Sequence, residues 1–186
     1  GDILIIAGDI CSFGNKAELL DFDDFLEIQS HSAKVVVAGN HDWPFACSSP
    51  AEANALLKNA IYLEDSGIEI LGLKFWGSPW QPWFGGWAFN LPRGPKLAAV
   101  WSKIPDDTDV LITHCPPYGI LDVVHGENVG CKDLAIALKR VRPLVHVFGH
   151  VHQGYGVAEQ DGMIYVNASL RDENYSLVNQ PISIDL

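Results

Sequence analysis

Lys34-Val-Val-Val-Ala38 runs without a break into Gly39-Asn40-His41-Asp42. A short apolar run rich in β-branched residues reads as a strand buried on both faces. It is followed by a glycine and three residue types that coordinate metals or move protons. The pattern recurs along the chain: Ile3-Leu-Ile-Ile-Ala7 leads to Gly8-Asp9, Asp109-Val-Leu-Ile-Thr113 to His114, and Leu144-Val-His-Val-Phe148 to Gly149-His150-Val151-His152. Helix signals lie between these runs. Asn15-Lys-Ala-Glu18 reads as a capping box opening a helix over 15–29. Ser49-Pro50-Ala-Glu52 supplies a cap, a first-turn proline and a glutamate for another, and a third covers 131–141 until Pro143 stops it. Hairpin-like segments are expected over 68–76 and at 163–167, with a last strand over 182–186. Strands joined by helical crossovers make an open α/β sheet, and ligands collect beyond the carboxyl ends of such strands. Asp9, Asn40, His114 and His150 are therefore expected to converge on one edge of a sheet.

Composition narrows the class. With 186 residues, 48% hydrophobic and 19% charged, the chain has the makings of one folded domain over 1–186 rather than a disordered polymer. No apolar run approaches the length of a membrane span, and no signal-peptide pattern is visible. A cytoplasmic protein without a membrane partner is the expectation. Cys11, Cys47, Cys115 and Cys131 are widely spaced and form no CxxC pair, which reads as reduced thiols. Cys115 follows a candidate ligand, but strand alternation turns its side chain away from that of His114, so packing is its expected role. A formal net charge of −11 repels a polyanion, so a nucleic acid polymer is not the expected partner. The basic trio Lys139, Arg140 and Arg142 sits where a helix dipole welcomes cations.

The residue types at the strand ends suit phosphoryl chemistry. Two divalent metals about 3.5–4 Å apart can bind both the attacking and the leaving oxygen of a displacement at phosphorus. Asp9 is the natural carboxylate to bridge them. The imidazoles of His114, His150 and His152 suit Mn, Fe, Zn or Ni better than Mg or Ca, and Asn40 adds a neutral oxygen. The glycines before Asp9, Asn40 and His150 permit close backbone geometry. His41, beside Asn40, lies within reach of a bound phosphate and could protonate the leaving oxygen. His31, His125 and His146 read as packed or surface residues. Trp76, Trp80, Trp83, Phe84, Trp87 and Phe89 crowd one stretch, either covering the sheet or offering Trp80 and its neighbours as a wall for a nucleobase. Arg93 could meet a phosphate or base.

Gly8-Asp9, Gly39-Asn40-His41-Asp42, Thr113-His114 and Gly149-His150-Val151-His152 resemble, in order, four of the five blocks of the calcineurin-like metallophosphoesterase superfamily. The stretches at 78–94 and 141–150, with Gly154-Tyr155-Gly156, resemble its MPPED (metallophosphoesterase domain-containing) branch. The resemblance implies a four-layer α/β/β/α sandwich and a phosphodiesterase acting on small diesters, cyclic nucleotides among them, typically with manganese. It implies that Asp9 bridges two ions, that Asn40, His114 and His150 complete one, that His152 serves the other, and that His41 is the acid. The family's first block, an Asp-x-His on a strand before Gly8-Asp9, is absent from residues 1–186. The chain starts at glycine and its only methionine is Met163, so a fragment is expected, with a naturally shortened protein as the other reading. A homodimer covering the sheet edge stays open. No carboxylate follows Asp9 in Ile10-Cys-Ser-Phe-Gly14, which leaves the orientation of His41 unassigned. A nucleotide-binding or interaction module with little turnover is the alternative function, and a monoesterase or protein phosphatase ranks below both.

Overall fold

Capped helices and short apolar runs alternate along this chain, and they build two main sheets, with two further two-stranded pairs, rather than one. The computed structural model describes residues 1–186, apart from the side chain of Pro50. First come β1 (Ile3–Ala7), α1 (Lys16–Glu27), β2 (Ala33–Val37), α2 (Trp43–Ala46), α3 (Pro50–Asn54) and β3 (Ile61–Tyr62). Strands β1, β2 and β3 pair in parallel in that order. Next come β4 (Ser66–Ile70), β5 (Leu73–Ser78), β6 (Gln81–Pro82), β7 (Asn90–Leu91), α4 (Pro95–Trp101) and β8 (Val110–Thr113). The chain continues through β9 (Val123–Val124), β10 (Glu127–Asn128), α5 (Lys132–Val141), β11 (Val145–Phe148), β12 (Gly156–Gln160) and β13 (Met163–Asn167). The second sheet has the order β12-β13-β11-β8-β5-β4. Its inner four strands are parallel, and β4 and β12 close its edges antiparallel.

Side-chain alternation explains the layering. Val35 and Val37 of β2 face Phe75, Val110 and Ile112 of the second sheet, which makes the core between the sheets. Val36, pointing the other way, packs with Leu19 and Leu26 of α1. On the far side, Leu111 and Phe148 lie under Leu97 and Trp101 of α4 and Leu134 and Leu138 of α5. Helix, sheet, sheet, helix is the four-layer α/β/β/α arrangement. Each fully buried leucine, such as Leu26 or Leu134, contributes roughly 1.5–3 kcal/mol to it.

Local signals place the helices. The Asn15 side chain accepts from the Glu18 N–H at 3.0 Å while Glu18 accepts from the Asn15 N–H at 3.1 Å, so the capping box opens α1 as read. Glu18 also takes the Ser12 and Phe13 N–H groups, which orders the loop after Asp9. Helix α5 begins after Cys131, whose sulfur accepts the Leu134 N–H, and ends at Arg142, left-handed at φ 50, just before Pro143.

Three expectations change. The four strand ends do not share one sheet: Asp9 and Asn40 follow β1 and β2, whereas His114 and His150 follow β8 and β11. They still meet, because the sheets stack with those carboxyl ends on the same side. Residues 182–186 form no strand; Ile182 and Ile184 pack against Val145, Val147 and Val166 without a ladder partner. Helix α4, opened by Gly94 at φ 92 and Pro95, has no counterpart among the helix signals above. No described helix is long and apolar enough to cross a membrane.

Candidate metal centre

Each strand end delivers one side chain to a common point. One ligand atom from each of Asp9, His114 and His150 lies within 4.8 Å of the other two. His114 Nδ1 lies 2.9 Å from the Ala7 carbonyl. A carbonyl only accepts, so Nδ1 carries the proton and Nε2 of the neutral ring is bare. That Nε2 sits 2.9 Å from Asn40 Oδ1 and 3.4 Å from Asp9 Oδ1. Three lone-pair atoms this close repel one another unless a cation, a proton or a metal, stands between them. Ligands about 2.1 Å from an octahedral ion and at right angles lie about 3.0 Å apart, which matches this spacing.

The backbone yields to make the approach. Asp9 at φ 56 and His150 at φ 67 are both left-handed, a conformation that costs a non-glycine residue about 1 kcal/mol or more and that clusters at functional sites. A Cβ on Gly8 would stand 2.4 Å from His114 Nδ1, and one on Gly39 would stand 2.4 Å from the Asp9 nitrogen. Both positions must be glycine for the sheets' ends to close. Gly149 differs, since a Cβ there would meet nothing nearer than 3.6 Å.

Charge follows the same geometry. Burial pushes the Asp9 carboxyl up, but His114, the His41 N–H and the His41 and His150 rings outweigh it and hold the group below its ordinary value. Burial, with His114 beside it, drives His150 down to about 3, so its imidazole is neutral at pH 7. One carboxylate, two imidazoles and an amide oxygen fit a divalent transition ion.

Asp42 holds the loops together. Buried completely, it accepts from Ile10 N at 3.2 Å, Cys11 N at 2.8 Å and Gly39 N at 2.6 Å, tying the turn after β1 to the turn after β2. Burial and then Asp9 raise its carboxyl to about 6, against the pull of the three N–H groups. Asp42→Ala leaves those donors facing nothing, and denaturant unfolding is expected to show a loss of about 3 kcal/mol or more. A loss under about 1 kcal/mol would dismiss the clamp.

Two histidines stand beside the cluster. His41 Nδ1 donates to the Ser12 carbonyl at 2.9 Å, and its ring lies against Trp87 with centroids 4.3 Å apart. The missing carboxylate thus has a backbone substitute. The His41 N–H reaches Asp9 Oδ1 at 3.1 Å, which sets the spacing between this residue and the cluster. His152 Nδ1 donates to the Asp172 carbonyl at 2.8 Å, which turns Nε2 away from that bond, and its ring stands nearly perpendicular to that of Tyr175. It is not among the three mutually close ligand groups. Asn167, fully buried, donates to the carbonyls of Val151 at 2.8 Å and Leu121 at 3.1 Å and so carries the turn between His150 and His152.

The aromatic stretch borders the cluster. The Phe84 and His150 rings meet nearly at right angles with centroids 6.1 Å apart, and the Ala88 N–H bonds the Asn40 carbonyl at 3.1 Å. Asn90, whose role the sequence did not signal, pins this loop: its Nδ2 donates to the carbonyls of Phe84, Gly85 and Trp87. Trp80 lies in the wall of a nearby pocket. Arg93 does not serve the site as expected. Its two terminal nitrogens donate to the Gly130 and Val129 carbonyls at 2.7 Å each, so the guanidinium braces the loop before α5. Cys115 packs in the core under α4 and α5, and burial raises its thiol well above the ordinary value, which rules against a thiolate ligand.

A family profile described as Calcineurin-like phosphoesterase matches residues 1–154. Over 211 residues the chain is 43% identical to metallophosphoesterase domain-containing protein 1 of Homo sapiens, covering 100% of this chain and 65% of that protein. It is 39% identical over 216 residues to UPF0046 protein T07D4.2 of Caenorhabditis elegans, with 100% of this chain and 54% of that protein covered. The chain thus spans less than two thirds of the length of these two relatives. The solved structure of TT1561 of Thermus thermophilus superposes with a TM-score of 0.63 at 15% identity, covering 91% of this chain and 77% of that one, a likeness of fold alone. Fold, strand-end residues and relatives agree: the chain belongs to the calcineurin-like phosphoesterase family, on the branch of the metallophosphoesterase domain-containing proteins.

Proposed function

We propose that the chain carries the centre of a metal-dependent phosphodiesterase for small diesters, cyclic nucleotides among them, with manganese as the working ion. Phosphoester hydrolysis is the chemistry of its family. The observation that supports its metal dependence is the meeting of Asn40 Oδ1, His114 Nε2 and Asp9 Oδ1 with no proton of their own to share. In this reading Asp9, Asn40, His114 and His150 would hold one ion, and Asp9 with His152 would serve a second. Bound there, such ions supply Lewis acidity towards a phosphoryl oxygen and acidify water.

The chain's own residues do the rest. His41 Nδ1 donates to the Ser12 carbonyl, so Nε2 is the atom that, once protonated, hands its proton to the leaving oxygen. The Trp87 ring packs against that of His41 with centroids 4.3 Å apart and limits its rotation. Asp42 keeps the two turns from drifting apart, and Asn90 keeps the aromatic loop over the cluster.

The test is hydrolysis of bis-p-nitrophenyl phosphate and cyclic nucleotides by the full-length protein. Turnover that vanishes with a chelator and returns with manganese is expected; no metal-dependent turnover of any diester would remove the catalytic reading. A binding module with little turnover draws support from His152 standing apart from the close cluster. Tight AMP binding without hydrolysis would establish it instead.

A further inference from the structure

Beside His41 the chain forms an open pocket of about 300 Å³ lined by Trp43, Trp80, Trp83, Trp87, Phe89 and Glu64. Trp83 is 66% exposed, and Trp43 and Trp87 are 38% exposed each. A folded domain seldom leaves three indoles open together without a use for them. Trp87 belongs to both places, since its ring lines the pocket and lies 4.3 Å from that of His41. Ligand pockets run from roughly 300 to 1,000 Å³, so this one takes a single head group rather than a whole nucleotide.

The wall's chemistry selects the head group. Reading a base edge needs donors and acceptors side by side, yet the amide of Asn90 and the Trp80 N–H are already engaged. Asn90 gives its amide to three loop carbonyls and accepts from Gln81 Nε2 at 3.0 Å, while the Trp80 indole N–H points to Asp65 Oδ2 at 3.3 Å. What remains is the faces and N–H donors of the Trp43, Trp83 and Trp87 indoles, which offer no acceptor, and the Glu64 carboxylate, one of whose oxygens accepts the Tyr62 hydroxyl at 2.8 Å. Aromatic faces with a carboxylate attract a poorly hydrated cation, and alkylated ammonium groups are recognised in this way. The neighbouring cation Lys103 pairs with Asp65 at 2.6 Å rather than with Glu64.

We propose that the indole-lined pocket next to His41 is a subsite for an alkylated ammonium group, carried on the alcohol that leaves. This rests on the phosphodiesterase reading and names its substrate class: diesters of a choline-like amino alcohol. Water forms the new P–O bond, the P–O bond to the alcohol breaks, and that oxygen takes the Nε2 proton of the imidazolium form of His41, which solvent then restores. The water's own proton passes to solvent. The products are a phosphomonoester and the free amino alcohol.

Tryptophan fluorescence of the full-length protein tests the subsite apart from turnover, with choline titrated against its neutral carbon isostere, dimethylbutanol. Choline is expected to bind at least about tenfold tighter. Glu64→Gln should bring choline down to the level of the isostere, and Trp87→Ala should weaken both. Equal binding of choline and dimethylbutanol, or a response to AMP but not to choline, would overturn the proposal. Turnover of bis-p-nitrophenyl phosphate without choline selectivity sinks this inference alone. Selectivity without hydrolysis of any diester sinks the catalytic reading and leaves the subsite standing.

Discussion

Replacing His114 with alanine is expected to lower metal affinity by more than about 100-fold and to take metal-dependent turnover with it. Even partners that only orient a ligand cost roughly 10–100-fold when removed, and His114 presents its bare Nε2 directly to Asn40 and Asp9. The ring also joins the two sheets, because its Nδ1 bonds the carbonyl that ends β1 at 2.9 Å. Its loss leaves a buried acceptor without a partner and costs about 1–3 kcal/mol of stability as well. Calorimetric manganese titration beside a thermal melt separates the two effects. Asn40→Ala is the control for fold, since it removes one oxygen donor and leaves the link between the sheets in place. Metal binding at the wild-type level in both variants, with each still folded, would end the assignment of the centre.

The parts of this site that were readable from sequence share one property: the side chain itself is the functional group. Asp9, Asn40, His114 and His150 follow apolar runs, and a strand end is a place where a side chain can leave the core for a common point. Periodicity says that such runs are buried on both faces, but not against what, so it could not divide them between two sheets. The layout of Val35 and Val37 against Val110 and Ile112 decides that, and it is a long-range contact with no local signature. Backbone partners were equally silent. The Ser12 carbonyl that aligns His41 and the Asp172 carbonyl that aligns His152 belong to residues whose type is irrelevant to the bond. Asp42 could be read as a motif member, though only the folded chain shows it taking three N–H groups from two turns. Arg93 shows the opposite error. A lone arginine near aromatic residues invites a substrate role, and two carbonyls of a neighbouring loop claim it instead. Residues 182–186 alternate apolar and polar side chains as a strand would, and Ile182 and Ile184 do face the core. Alternation records burial; a strand also needs an edge with which to pair.

His41→Ala separates catalysis from metal binding, because the residue contributes to the cluster through its backbone. Its N–H holds Asp9 Oδ1 at 3.1 Å, and alanine keeps that N–H. Manganese affinity should therefore stay near the wild-type level while turnover falls by about 10²–10⁴-fold, the usual worth of a positioned acid. The size of the fall depends on what leaves. A nitrophenolate departs as a stable anion and needs little help, so bis-p-nitrophenyl phosphate should register the low end of that range. An alkyl diester must expel an alkoxide, which needs the proton in the transition state, and should register the high end. Comparing the two esters on one preparation removes any doubt about how much of the variant is folded. Equal falls would mean that the ring stabilises the phosphoryl anion rather than handing over a proton, in keeping with its position against Trp87. No fall with either ester would remove His41 from the reaction altogether.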